Sequence, residues 1–360
     1  MRYAVIMAGG AGTRFWPASR RARPKQFLPI VTDRPLIVDT VERVVGGDSG
    51  ISIDRVVVVT NADHVAQVSA MLPDLPPENV LAEPAGRNTA PCITLAALWL
   101  LERDPDATML CLPADHAIRP VEAFRRVVDA VLSRAARGKR LYTIGIPPVR
   151  PATGYGYIER GDPTGEESGV SFHRVARFVE KPNEVRARRY VESGSFDWNS
   201  GMFAWSARRI VAEIEKHLPE VLGALASVAA GAGPVPPDDL VAAYAEIESI
   251  SIDYGILEKA VDVEVASAPF VWDDVGSWRA LERLRDSDED GNVIVGDGLL
   301  VDGTGNILVA DEGHTITAVG VEGLIVVQAG GVTMVCPKDR AEAVKAIVDA
   351  LRREGREDLL

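Results

Sequence analysis

A glycine-rich run followed by cations is the first place in this sequence where chemistry could occur. Gly9, Gly10 and Gly12 follow the apolar run Tyr3 to Met7; Thr13 and Arg14 come next, and Lys25 lies between Pro24 and Gln26. Glycine lets the backbone take positive φ and approach a ligand closely. Successive N–H groups in such a turn can form an anion-binding nest. Arg14 and Lys25 would add mobile positive charge to those fixed dipoles, so the stretch is expected to cradle a triphosphate at the end of a first strand. The alternative is a tight connection with no ligand. Two familiar phosphate motifs are absent. No Gly-Lys-Ser/Thr occurs, and where a dinucleotide fingerprint starting at Gly10 and Gly12 needs a third glycine, position 15 is Phe.

Further candidates lie downstream. Asp115 follows the apolar run Thr108 to Leu112, and Asp274 precedes Gly276. Magnesium takes one or two carboxylates together with phosphate oxygens and water, which two Asp residues at strand ends could supply. Each is equally a turn or capping residue, and the distance between them in sequence leaves their convergence open. His116 is expected only to support Asp115. Lys181, in Glu180-Lys181-Pro182, is a second cation at a strand end, or a solvated lysine. Asn199, in an aromatic, glycine-containing run, is a sugar-hydroxyl reader or a core amide. The run Glu83 to Pro91 offers acceptors suited to a purine edge, or merely a capped loop.

The elements that must position these residues change character along the chain. Through the first 150 residues strand-like and helix-like segments alternate. Arg55 to Thr60 is a buried strand of the parallel-sheet kind. Residues 35–46, 63–72, 88–103 and 121–137 are expected helices, with Asn88 or Thr89 capping the third. The pattern predicts an α/β fold with a Rossmann-like, mostly parallel open sheet, helices on both faces, and ligands beyond the carboxyl ends of the strands. Strands are also expected at 174–180, 197–204 and 263–267. After about 289, short apolar runs punctuated by Gly, Asp and Asn predict a small β-rich, β-helix-like domain closed by a helix at 340–353. The expected domains are therefore 1–288 and 289–360, and the second gives a homodimer a surface.

Composition narrows the function. The chain has 360 residues, 47% of them hydrophobic, and a formal net charge of −13. Such acidity argues against broad nucleic-acid binding but leaves room for a local positive pocket for a nucleotide. Cys92, Cys111 and Cys336 fit no metal spacing and suit a reducing cytoplasm. No run approaches a membrane span or a signal h-region, so a soluble cytoplasmic protein is expected.

Taken in order, the motifs Gly9-Gly10-x-Gly12-Thr13-Arg14 with Pro24-Lys25-Gln26-Phe27, Glu83-Pro84 through Thr89-Ala90-Pro91, Pro113-Ala114-Asp115-His116, Gly154-Tyr155-Gly156-Tyr157-Ile158, Phe178-Val179-Glu180-Lys181-Pro182, Trp198-Asn199-Ser200-Gly201-Met202-Phe203, Ser251-Ile252-Asp253-Tyr254 and Trp272-x-Asp274-x-Gly276-x-Trp278 resemble those of bacterial mannose-1-phosphate guanylyltransferases. The resemblance spans nearly the whole chain. The first motif is shared with nucleotidyltransferases at large, while the Asn-Ser-Gly-Met-Phe and Glu-Pro to Ala-Pro runs point to the mannose branch.

The resemblance implies formation of GDP-mannose and pyrophosphate from GTP and mannose 1-phosphate, with Mg2+ as cofactor. It implies that Gly9, Gly10, Gly12, Thr13, Arg14 and Lys25 hold the GTP phosphates. Glu83, Asn88 and Thr89 would face the guanosine, and Asp115 and Asp274 would hold the metal. Gly156, Glu180 and Asn199 would contact mannose, and Lys181 its phosphate. Many relatives carry a further isomerase domain, for which the residues up to Leu360 leave no room, so no isomerase activity is expected. The rivals are a sister enzyme of different base or hexose, a non-catalytic nucleotide-binding regulator, and a dehydrogenase-type binder, against which Phe15 counts.

Overall fold

A computed structural model describes residues 1–10 and 12–360; Ala11, inside the glycine-rich stretch, lies outside the described residues. In chain order its elements are β1 (Arg2–Ala8), α1 (Leu36–Val44), β2 (Val56–Asn61), α2 (Val65–Met71), β3 (Val80–Glu83), α3 (Thr89–Leu101), β4 (Thr108–Pro113), β5 (Ala117–Arg119), α4 (Val121–Ala135) and β6 (Leu141–Ile146). Then follow β7 (Tyr157–Glu167), β8 (Val170–Val179), α5 (Glu184–Ser193), β9 (Phe196–Ser206), α6 (Ala207–His217), α7 (Pro219–Leu225), α8 (Asp238–Glu246), β10 (Val263–Ser267) and β11 (Val271–Asp273). The chain ends with α9 (Leu281–Leu284), β12 (Val293–Val295), β13 (Asp297–Val301), β14 (Ile307–Ala310), β15 (Thr315–Val319), β16 (Leu324–Ala329), β17 (Val332–Pro337) and α10 (Lys345–Arg353).

Packing divides the chain into two compact units. The first comprises Met1–Gly9, Thr40–Ala114 and Ile118–Trp272; the second comprises Gly10–Asp39, Asp115–Ala117 and Asp273–Leu360. The change of sequence pattern at 288/289 is thus not where packing groups the residues: 10–39 and 115–117 belong with the C-terminal segment.

The first unit is built on a nine-stranded sheet in the order β3-β2-β1-β4-β9-β6-β10-β8-β7. Its leading half, β3 to β4, is parallel, as the valine runs predict; Val56 to Val59 are fully buried because both faces are covered. β9 enters antiparallel between β4 and β6, and β7 and β8 pair antiparallel at the far edge. The sheet is therefore mixed: β9, although it lies between α5 and α6 in the chain, runs antiparallel to both its neighbours, and the consecutive strands β7 and β8 form an antiparallel hairpin. α3 is apolar all round and buries its residues Ala90 to Ala97 between the sheet and the segments carrying Leu225, Leu240 and Tyr244.

In the second unit, β12, β14 and β16 run parallel in successive layers, with Val293, Ile307 and Ile325 in register, and β17 closes the sheet antiparallel. β13 pairs with β15 in the same sense. Stacked asparagines bind the layers: Asn292 Oδ1 accepts from the Asn306 N–H at 2.9 Å, and Asn306 Oδ1 accepts from the Leu324 N–H at 2.9 Å. This is the β-helix-like coil expected from the punctuated apolar runs. Its core includes Phe15, Trp16 and Leu28 from the N-terminal stretch. Among the described residues no helix is long and apolar enough to cross a membrane.

Candidate active site

The second unit holds the phosphate-type residues. Gly12 sits at φ +59°, and a Cβ there would lie 2.3 Å from Lys25 Cβ. Only glycine lets the loop lie flat against Lys25 in that left-handed conformation. Thr13 opens a single 3₁₀ turn, Thr13–Phe15, which buries Phe15 and leaves Arg14 exposed. Lys25 is buried, its side chain only 7% exposed, with Nζ 2.9 Å from Asp115 Oδ2 and donating to the Asp274 carbonyl at 2.7 Å. The two aspartates that the sequence left unconnected therefore converge on one ammonium group. Burial works to raise the Asp115 carboxyl, but the charges of Lys25 and His116 and the hydrogen bond from Lys25 outweigh it, holding Asp115 below its ordinary value.

The Asp274 loop is held under strain. Val275 has φ +49°, unusual for a β-branched residue, yet its side chain is fully buried. Asp273 fixes the turn by accepting from the Val275 N–H at 2.8 Å while pairing with Arg283 Nε at 2.6 Å. Beyond it, a Cβ on Gly276 would meet Asp274 Oδ2 at 2.9 Å, so a side chain there would push the Asp274 carboxylate aside. Gly12, Thr13, Arg14, Lys25, Asp115 and Asp274 line one concavity of about 370 Å³. Among the described residues no three His, Cys, Asp or Glu side chains could hold a metal by themselves.

The first unit holds the other two groups. Glu83 ends β3, buried, with Oε1 accepting from the Tyr244 hydroxyl at 3.0 Å. Burial pushes its carboxyl up to about 7, against the opposing pull of the Tyr244 hydrogen bond. A Cβ on Gly9 would lie 3.7 Å from Glu83 Oε2, and Gly10 has nothing within 4 Å of such an atom, so neither is glycine for packing or for positive φ. Asn88 caps α3 at φ +69°, its side chain accepting from the Thr89 N–H at 2.9 Å, and Thr89 Oγ1 accepts from the Ile252 N–H at 2.8 Å.

Gly156, Glu180 and Asn199 do come together. A Cβ on Gly156 would lie 2.9 Å from Glu180 Oε2 and 3.3 Å from Asn199 Cβ. The Asn199 amide is oriented at both ends, accepting from the Gly201 N–H at 3.1 Å and donating to Asp253 Oδ1 at 2.7 Å. Asp253 starts a π-helical turn, Asp253–Leu257, and its carboxyl is raised by burial against the lowering pull of Asn199. Lys181, at φ +39°, pairs with Glu180 at 2.7 Å and is 64% exposed.

Four supporting residues were not singled out from the sequence: Tyr244, Asp253, Asp273 and Lys345, the last of which lines the concavity. Asp253 stood inside a quoted motif, and that was its available signal. The segment around it joins the two groups of the first unit: Ile250 exchanges backbone hydrogen bonds with Arg87 and Ala90, Ile252 binds Thr89, and Asp253 binds Asn199.

A mixed sheet whose leading half is parallel, with a glycine loop following β1, is a frame suited to binding a nucleotide. The comparisons agree: residues 3–291 match the nucleotidyl transferase family model, and residues 296–351 match the MannoseP isomerase/GMP-like β-helix domain. The chain is 38% identical over 364 residues to the mannose-1-phosphate guanylyltransferase of Escherichia coli (strain K12), covering 99% of this chain and 74% of that protein. It is 40% identical over 366 residues to the mannose-1-phosphate guanylyltransferase ManC of Salmonella typhimurium, with 99% and 74% covered. A crystal structure described as a mannose-1-phosphate geranyltransferase from Thermus thermophilus superposes with a TM-score of 0.85 at 36% identity, covering 98% of this chain and 99% of that one. The chain belongs to the mannose-1-phosphate guanylyltransferase family and is an enzyme of the nucleotidyltransferase class.

Proposed function

We propose that this enzyme makes GDP-mannose and pyrophosphate from GTP and α-D-mannose 1-phosphate. A phosphate oxygen of mannose 1-phosphate attacks the α-phosphorus of GTP in line. One P–O bond forms, the bond to the β-phosphate bridging oxygen breaks, and pyrophosphate departs with the electron pair. The nucleophile is already anionic, so no general base is required, and catalysis is positioning plus charge neutralisation. The observation that carries this most is Lys25, buried and fixed between Asp115 and Asp274 in a concavity shared with Arg14.

In this account Gly9, Gly10, Gly12 and Thr13 present backbone to the triphosphate, and the glycine identity of Gly9 and Gly10, which neither packing nor φ explains, fits close approach of substrate. Arg14 and Lys25 neutralise the leaving pyrophosphate. Guanine offers N–H donors on its Watson–Crick edge, and the Glu83 carboxylate, steadied by Tyr244, accepts them, with Asn88 and Thr89 holding the adjoining backbone. Gly156 leaves room for the hexose, Glu180 and Asn199 bind its hydroxyls, and Lys181 orients the attacking phosphate.

The residues also fit magnesium. Asp115 is held ionised, Asp274 lines the same concavity, and two carboxylates with substrate oxygens and water make a magnesium donor set. Bound there, the ion would supply positive charge to the phosphate oxygens. We further propose a cytoplasmic enzyme, in keeping with three free thiols, and a homodimer through the β-rich segment, which sedimentation would test. Pyrophosphate release from each of GTP, ATP, CTP and UTP with mannose or glucose 1-phosphate tests the substrates: GTP with mannose 1-phosphate should be fastest, and a clear preference for another pair would replace this reading with a sister activity.

A further inference from the structure

The concavity that holds Arg14 and Lys25 contains one more cation, contributed from the other end of the chain. Lys345 lines it. The backbone there is firmly seated: the 3₁₀ segment Lys338–Val344 buries Ala341 and Val344, and α10 buries Val348, in the core shared with Phe15 and Trp16. Trp16 Nε1 donates to the Leu359 carbonyl at 2.9 Å, tying the residue next to Phe15 to the chain beyond α10.

Glu342 pairs with Arg14 Nε at 2.8 Å. Lys345 lies three residues after Glu342 where the 3₁₀ segment runs into α10, a spacing that shares a face in either helix, so Lys345 follows Glu342 on the side that reaches Arg14. Arg14 and Lys25 both have carboxylate partners, whereas among the described residues Lys345 forms no ion pair.

We infer that Lys345 binds the terminal phosphates of the nucleotide substrate, so that the C-terminal segment contributes directly to the active site. This rests on the concavity being the triphosphate site. Lys345 is exposed, and its replacement leaves the core intact.

The test compares the full-length wild type with K345Q and K345R. K345Q should raise KM for GTP, and for pyrophosphate in the reverse direction, by about tenfold, the worth of one charge-assisted contact. KM for mannose 1-phosphate should stay unchanged, and K345R should largely restore the wild-type values. Titration with inorganic tripolyphosphate should show the same loss of affinity in K345Q. Unchanged KM for GTP and pyrophosphate in K345Q overturns the inference, as does an equal rise in KM for both substrates with a lowered Tm. A wild type inactive with every nucleotide would defeat the functional reading instead; the tripolyphosphate titration would then decide Lys345 by itself, weaker binding in K345Q supporting it and equal binding overturning it.

Discussion

Lys25 and Lys181 carry the same charge in opposite settings, one in each compact unit. Lys25 is 7% exposed, clamped by Asp115 and the Asp274 carbonyl, with Nζ 5.7 Å from the centre of the Phe15 ring. Lys181 is 64% exposed, on a left-handed residue beside Glu180. A cation fixed in a low-dielectric setting acts on a developing charge without reorganising, while an exposed one is screened by water and salt. Under the proposed function, the phosphate group around Lys25 is organised before substrate arrives, and the sugar-phosphate contact would be made by a side chain that must be ordered on binding.

The largest effect should come from Lys25. Lys25→Ala should lower kcat by about 10²- to 10³-fold, as removal of one electrostatic donor does; turnover unchanged at saturating GTP would take Lys25 out of the mechanism. Gly12→Ala tests the seat of that lysine without touching its charge. The new methyl would clash with Lys25 Cβ on a left-handed backbone, so stability should fall by about 2 kcal/mol, with turnover dropping alongside. A Tm and a rate equal to wild type would show that Lys25 needs no such support.

The next test separates burial from charge in the first unit. Because the folded Glu83 carboxyl titrates at about 7, above its unfolded value, the folded state holds its proton over the interval where the unfolded state has lost it. Stability therefore falls as pH rises through that interval and levels off above about pH 7, by up to about 3 kcal/mol. Glu83→Gln should remove this slope, so its Tm advantage over wild type should grow between pH 5 and pH 8; parallel Tm curves would contradict the burial argument. The smallest effect belongs to Lys181. Lys181→Ala should raise KM for mannose 1-phosphate by about tenfold at low salt, and the gap should narrow as salt is added. A loss as large as that of Lys25→Ala would erase the contrast between the two lysines.

The sequence carries this contrast unevenly. The parallel half of the sheet is legible because its strands are buried on both faces, leaving continuous apolar runs such as Val56 to Val59. The antiparallel insertion of β9 between β4 and β6 is not, since a strand between two strands looks the same whichever way it runs. The glycine loop reads clearly, yet its packing partners do not. Trp16 donates to Leu359, and Trp278 donates back to the Trp16 carbonyl at 3.1 Å, and no local pattern reports partners so far along the chain. Asp253 and Lys345 read as ordinary polar residues, because what distinguishes them is the Asn199 amide and the shared concavity. Asp115 and Asp274 were recognisable as strand-end acids, and their meeting at Lys25 is a fact of three dimensions alone.

The reverse reaction offers the most direct measurement, with GDP-mannose and pyrophosphate as substrates and GTP formation as the readout. Lys25→Ala should weaken saturation by pyrophosphate and leave KM for GDP-mannose near wild type. Lys181→Ala should raise KM for GDP-mannose and leave that for pyrophosphate near wild type. If both variants shift the two constants alike, or if the pattern is exchanged between them, the assignment of the triphosphate to the Lys25 unit is wrong.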